Sequence, residues 1–271
     1  MLQFSGHHAY IADVALIDSI NAALVLGRPL LLKGEPGTGK SVLARHIAEA
    51  LDLRCLSWNV KSTTKAQEGL YTYDTVQRLN DARFGDADIG DIRRYIKLGP
   101  LGEALRADRK TVLLIDEVDK ADLEFPNDLL YELDLMEFRI AETNETVRAK
   151  ERPFVIVTSN AEKELPDAFL RRCVFHYIAF PDRAMMAAIV RVHFPSIEET
   201  LLQGALDKFY QIRDIGMLRK KPATSELLDW LRILMHKGLE NEELKKQTPA
   251  LGVLLKNPAD IEAAQKVLAK G

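Results

Sequence analysis

The chain is poor in cysteine: Cys55 and Cys173 are the only two in 271 residues, and they lie far apart. That spacing offers neither a metal-ligand motif nor a disulfide framework, so both read as small buried hydrophobes. Long apolar runs are also missing. The best stretch, residues 22–32, is broken by Gly27 and Arg28, well short of the roughly 18 residues that a membrane span requires. The opening MLQFSGHHAY has neither the basic nor the apolar region of a secretory signal, and the expected location is the cytoplasm. Charge of one sign is not in excess, with 37 Lys and Arg against 40 Asp and Glu and a net charge of −3. A sequence-independent nucleic-acid coat is thereby excluded, and partners must be chosen by local sites. No internal repeat marks a solenoid. What remains, 47% hydrophobic and 28% charged, is the composition of a chain that folds.

The order of apolar segments sets the expected architecture. Residues 13–26 carry apolar side chains at helical spacing and end at Gly27, a glycine stop. A strand follows at 29–33, then GEPGTGKS at 34–41, then VLARHIAEAL with helical periodicity. Further strand-length apolar runs are 55–60, 111–115, 154–158 and 174–180. Continuous apolar strands alternating with helical stretches predict a mostly parallel sheet buried on both faces. Two segments interrupt the rhythm: a polar insertion near 70–98, expected to project from the core, and a hairpin over 137–150 turning at Thr143-Asn144-Glu145. Beyond Pro181-Asp182 only helical patterns remain, at 183–192, 198–212, 224–235 and 258–269. The expected domains are therefore an α/β unit over 1–181 and a small all-helical unit over 182–271.

The segment Gly34-Glu35-Pro36-Gly37-Thr38-Gly39-Lys40-Ser41 satisfies G-x-x-x-x-G-K-[ST]. Glycines let backbone N–H groups turn inward around phosphate oxygens, and the following helix adds its positive end. Lys40 would reach the β and γ phosphates, and the Ser41 hydroxyl would bind Mg²⁺. These eight residues, with Val42 after them, are the candidate nucleotide contacts. Downstream, the apolar strand TVLLIDE at 111–117 ends in two carboxylates. There Asp116 can hold the water shell of Mg²⁺, and Glu117 can orient and deprotonate a water for attack on the γ phosphate.

Together GEPGTGKS, LLIDEVD, TSN after VIV and FLRR resemble the AAA+ ATPases, and the inserts resemble the MoxR branch of that family. The resemblance covers nearly the whole chain and implies a P-loop NTPase sheet with helices on both faces, followed by an α-helical lid. It implies that Asn160 helps to position the attacking water, while by residue type alone an Asn there could equally cap a following helix. It implies an arginine finger at Arg171 or Arg172, inserted into a neighbouring subunit's site, whose planar fork suits charge spread over γ-phosphate oxygens. Cations at a helix C-terminus are the plainer reading of the same pair. The resemblance also places Tyr10-Ile11-Ala12 near adenine, and the first insertion, with Tyr71 and Tyr73, on the exposed face of a ring. Packing is the alternative for all three tyrosines. One departure stands out: the arginine such lids carry near the start of a late helix falls near Glu226, with Arg219, Lys220 and Lys221 as nearby substitutes.

The implied function is a homo-oligomeric, hexameric ring hydrolysing ATP with Mg²⁺ to remodel a partner or assist cofactor insertion into a client enzyme. Its companion would be a protein with a von Willebrand factor A domain. Two other classes remain open. A P-loop phosphotransferase acting on a small molecule shares the glycine-rich motif, but the Asp116-Glu117 pair suits water activation better. A nucleic-acid-linked motor would have to rely on the short basic groups at 93–97 and 218–221.

Overall fold

The computed structural model describes residues 2–84, 89–160, 162–238, 244 and 247–268. Ala269, the expected end of the last helix, and residues 85–88 of the first insertion lie outside them. Nine strands occur among the described residues. They are β1 (Leu30–Gly34), β2 (Arg54–Asn59), β3 (Tyr71–Tyr73), β4 (Ile96–Leu98), β5 (Thr111–Asp116), β6 (Glu137–Ile140), β7 (Glu145–Arg148), β8 (Phe154–Ser159) and β9 (Val174–Ile178). Five form one parallel sheet in the order β2-β5-β8-β1-β9. The three inner strands are buried almost residue by residue, as strands covered on both faces must be. Here the sequence expectation needs correcting at the sheet edges. The apolar runs in β2 and β9 alternate between sheltered and exposed positions, and Phe175 and Tyr177 are half exposed, the period-2 pattern of strands fully covered on one face only.

Helices fill the connections. In the first part of the chain they are α1 (Val14–Leu26), α2 (Lys40–Ala50), α3 (Ala66–Leu70), α4 (Thr75–Phe84), α5 (Pro100–Arg106), α6 (Phe125–Asp128), α7 (Leu130–Leu135) and α8 (Asp167–Leu170). The Asp13 carboxylate caps α1 by accepting the Leu16 N–H at 2.7 Å, and Gly27 closes it in the left-handed region at φ 60°. After β9 come α9 (Arg183–His193), α10 (Glu199–Arg213), α11 (Thr224–His236), α12 (Leu251–Leu254) and α13 (Pro258–Leu268).

The chain divides into two compact units. The first holds residues up to His7, Ala12–Gly34 and Lys40–Ile178. Its core gathers Leu31, Trp58, Leu113, Ile115, Val157 and Phe138. The second holds Ala179–Gly271 together with two short segments, His8–Ile11 and Glu35–Gly39. Its core is helical, with Val190, Phe209, Trp230, Leu231 and Leu234 buried together. The Trp230 indole N–H finds the acceptor that a buried ring requires, the Pro249 carbonyl at 2.7 Å.

Both interruptions of the main sheet are small antiparallel sheets, β3 with β4 and β6 with β7. The first insertion does not project cleanly. Tyr71 at its base is 5% exposed, stacks on Phe138 of the hairpin at 6.1 Å, and accepts the Ala141 N–H at 3.0 Å. Its role is packing, worth about 0.5–1.5 kcal/mol for the aromatic pair. Tyr73 accepts a hydrogen bond from Arg78 on α4. The two cysteines are half buried rather than fully enclosed. Burial nevertheless pushes the Cys173 thiol up to about 12, which leaves it protonated and inert at neutral pH.

Candidate functional site

The strand order decides which residues meet. With β8 between β1 and β5, the ends of the three inner strands bring together Gly34, Ser159-Asn160 and Asp116-Glu117. At the end of β1 the chain turns through Gly37 (φ 76°) and Gly39 (φ 85°), both in the left-handed region that glycine adopts without a Cβ clash. Gly37 is also a close approach, since a Cβ there would lie 2.4 Å from Cβ of Ala223. Lys40 opens α2, is buried at 6% exposure, and its Nζ donates to the Gly34 carbonyl at 2.8 Å. The ammonium is thus held inside the turn. Val42, the third residue of α2, is about half exposed.

One hydrogen-bonded chain links the remaining candidates. The Ser41 hydroxyl donates to Asp116 Oδ1 at 2.7 Å, and the Thr158 hydroxyl donates to the same oxygen at 2.5 Å. Thr158 in turn accepts the Glu117 N–H at 2.8 Å. Asn160 Nδ2 donates to Glu117 Oε1 at 3.1 Å, while the ammonium of Lys120 pairs with Oε2. That contact holds the Lys120 ammonium above the usual lysine range. Glu117 itself sits at φ 59°, ψ 49°. The Ser41 hydroxyl and Asp116 carboxylate form an oxygen-only donor set, which fits Mg²⁺.

Sequence reading missed two members. Thr158 is fully buried and fixes both acidic residues at once. Asp119, 2% exposed, accepts the N–H groups of Asn160 and Glu162 at 3.1 and 3.0 Å and so sets where Asn160 stands. The signal was available as the third carboxylate of DEVD and as the Thr of TSN. Asn160 caps no helix among the described residues, so its side chain faces Glu117 instead. For Thr158→Val, the partly buried Glu117 N–H loses its acceptor and Asp116 a donor, and a loss of about 1–3 kcal/mol in folding stability is expected. Urea denaturation checks it: the midpoint should fall with an unchanged slope.

Arg171 is exposed just after α8. Arg172 donates through Nε to Asp134 Oδ2 at 2.6 Å and through Nη1 to the Ala168 carbonyl at 2.9 Å. Within the chain these contacts hold its guanidinium at the end of α8.

Within the second unit, Glu35, Pro36 and Gly37 line a cleft of about 370 Å³ with Arg213, Arg219, Lys220 and Lys221. Arg213 was not found by sequence reading, although it falls on the buried stripe of α10 with Leu206, Phe209 and Ile212. Its guanidinium lies 3.3 Å from the centroid of the Phe180 ring and donates to Pro222 O and, at 2.9 Å, to Glu35 Oε2. Glu226, where a lid arginine was expected, is occupied otherwise: its carboxylate accepts the Ala223 N–H at 3.1 Å and caps α11. Tyr10 lies against Gly39, 3.3 Å from where a Cβ would stand.

A parallel sheet whose first strand runs through G-x-x-x-x-G-K-[ST] into a helix, with a carboxylate pair ending the strand beyond β8, defines a P-loop NTPase. The chain belongs more narrowly to the family described as AAA domain (dynein-related subfamily), which it matches over residues 29–173, more than half its length. It is an AAA+ ATPase. Fidgetin-like protein 1 of Drosophila melanogaster is 26% identical over 186 residues, covering 64% of this chain and 29% of that protein. The chain thus spans under a third of that relative's length. In fold it is similar to the crystal structure of a candidate ATPase from Cytophaga hutchinsonii, with a TM-score of 0.52 over 97% of this chain and 91% of the other at 15% identity. Among the described residues no helix is long and apolar enough to cross a membrane.

Proposed function

We propose that this ATPase is a MoxR-type, ring-forming chaperone that binds ATP with Mg²⁺ and couples hydrolysis to remodelling of a partner protein. The observation that carries the chemistry is the bonded chain Ser41–Asp116–Thr158–Glu117–Asn160. Ser41 and Asp116 would hold Mg²⁺, which supplies charge neutralisation at the phosphates when bound. Lys40 meets the β and γ phosphates as a fixed charge. Glu117 takes the proton of the attacking water, and Asn160, locked through Asp119, keeps that carboxylate aimed. The hairpin over 137–150 and the insertion over 70–98 support the MoxR assignment. On that reading a protein with a von Willebrand factor A domain and a client enzyme are the partners, the ring is hexameric, and the setting is the cytoplasm. The domain division proposed is 1–181 for the nucleotide-binding α/β domain and 182–271 for the lid.

Specific ATPase rate against protein concentration, with Mg²⁺ and no acceptor, tests the reading. A rate per subunit that climbs with concentration is expected, because a neighbour completes each site. A flat rate that rises only with a small-molecule acceptor would replace it with phosphotransfer, and a salt-sensitive rise on adding DNA with a nucleic-acid motor. A mixing experiment addresses Arg171 and Arg172. Arg172→Ala should hydrolyse slowly, by about 10³-fold if it is the finger, and equimolar mixing with Lys40→Ala should restore activity by pairing an intact loop with an intact arginine. If the mixture stays silent while the two proteins co-assemble, Arg172 is not acting across subunits, and Arg171 is tested in the same way.

A further inference from the structure

Away from the phosphate loop, two imidazoles and a carboxylate meet on the outer face of α2. His46 and Glu49 stand one turn apart on that helix, on the side away from the buried Leu43, Ala44, Ile47 and Ala48. His7 arrives from the N-terminal segment after a turn at Gly6, whose φ is 110°. His46 Nδ1 lies 3.1 Å and His7 Nε2 3.5 Å from the same oxygen, Glu49 Oε2. The two rings stack with centroids 4.4 Å apart. The histidine side chains are only 12% and 15% exposed, whereas Glu49 is 51% exposed and opens the cluster to solvent.

A single carboxylate oxygen thus faces a nitrogen of each ring. On taking up a cation, each of these nitrogens would give its proton to water and present a lone pair, with the carboxylate beside it as counter-charge. One ligand atom from each residue, all three within 4.8 Å of one another, is near the roughly 3.3 Å that donors take around a tetrahedral ion with bonds of about 2 Å. Small side-chain rotations bridge the difference.

We propose that His7, His46 and Glu49 form a binding site for a divalent transition metal of the zinc class. Two imidazoles and one carboxylate suit Zn²⁺, Co²⁺, Ni²⁺ or Cu²⁺ and not the hard Mg²⁺ that suits Ser41 and Asp116. Three protein ligands leave a fourth position for water. The ion would tie the N-terminal segment to α2, the helix that begins at Lys40, and would stabilise the fold because the unfolded chain has no such site.

The test is equilibrium dialysis of the nucleotide-free full chain against Zn²⁺ and, separately, Co²⁺, with metal content measured by elemental analysis. The wild type should retain about one equivalent, and bound Co²⁺ should show the visible absorption of a low-coordinate site. His7→Ala and His46→Ala should each weaken binding by roughly tenfold or more, and both should abolish the metal-dependent rise in melting temperature. His7→Gln and His46→Gln are read alongside, with circular dichroism, so that a misfolded alanine variant does not decide the matter. Lys40→Ala, Asp116→Ala, Cys55→Ser and Cys173→Ser should keep the metal. Retention in the histidine variants, loss only in the cysteine or Asp116 variants, or no binding by the wild type would each overturn the proposal.

Discussion

Glu117→Gln is expected to bind ATP as the wild type does and to hydrolyse it about 10²- to 10⁴-fold more slowly, the range over which a positioned general base acts. Gln keeps the side-chain length, and its one amide oxygen can still accept from Asn160. It loses the ion pair with Lys120, which lies outside the turn that would bind nucleotide, and it cannot accept the proton of the attacking water. In the proposed function binding rests elsewhere, on the turn at 34–41 and on Ser41 and Asp116. Single-turnover hydrolysis beside a fluorescent-nucleotide titration separates the two. Near-normal turnover would remove Glu117 as base and shift attention to Asp119, whose Oδ1 is buried with no partner among the described residues.

Lys40→Ala should fail at the earlier step, with nucleotide affinity falling about 10- to 100-fold, the worth of one lost charge-assisted contact of roughly 1.5–3 kcal/mol. Lys40 is suited to this because its stem is buried and its ammonium is already directed inward at the Gly34 carbonyl. Little side-chain freedom is left to lose on binding. The same titration checks it, run with Mg²⁺ at fixed ionic strength. Unchanged affinity would mean that the turn at 34–41 is not where nucleotide binds.

The parts of this molecule that could be read in advance are those fixed by local chemistry. The turn at 34–41 needs glycine at Gly37 and Gly39 for backbone reasons, and both have the positive φ that the pattern implies. β1, β5 and β8 announce burial on both faces through unbroken apolar runs, and the helices over 183–193 and 224–236 through their periodicity. What stayed hidden depends on distant neighbours. Sequence cannot say that the apolar residues of β2 and β9 lie at sheet edges, because the strand order is a tertiary fact. Tyr71 looks like a residue of a protruding loop until Phe138 is found beneath it, 67 positions along the chain. Arg213 reads as the charged end of a helix, whereas its company of Phe180, Pro222 and Glu35 comes from three other stretches. Asp119 has no role of its own in the sequence pattern, and only the Asn160 and Glu162 amides give it a task.

The left-handed backbone of Glu117 carries a consequence for stability. A residue with a Cβ at φ 59° gives up about 1–2 kcal/mol relative to ordinary helical geometry, whereas glycine gives up almost nothing. Glu117→Gly should therefore unfold at higher urea than Glu117→Ala, by about 1 kcal/mol, although both are equally inactive. A chain selected for durability alone would place glycine or asparagine here. With the role proposed for Glu117, position 117 is one where the fold gives up stability to hold a reactive group in place, and a search for stabilising substitutions would lead straight to an inactive protein.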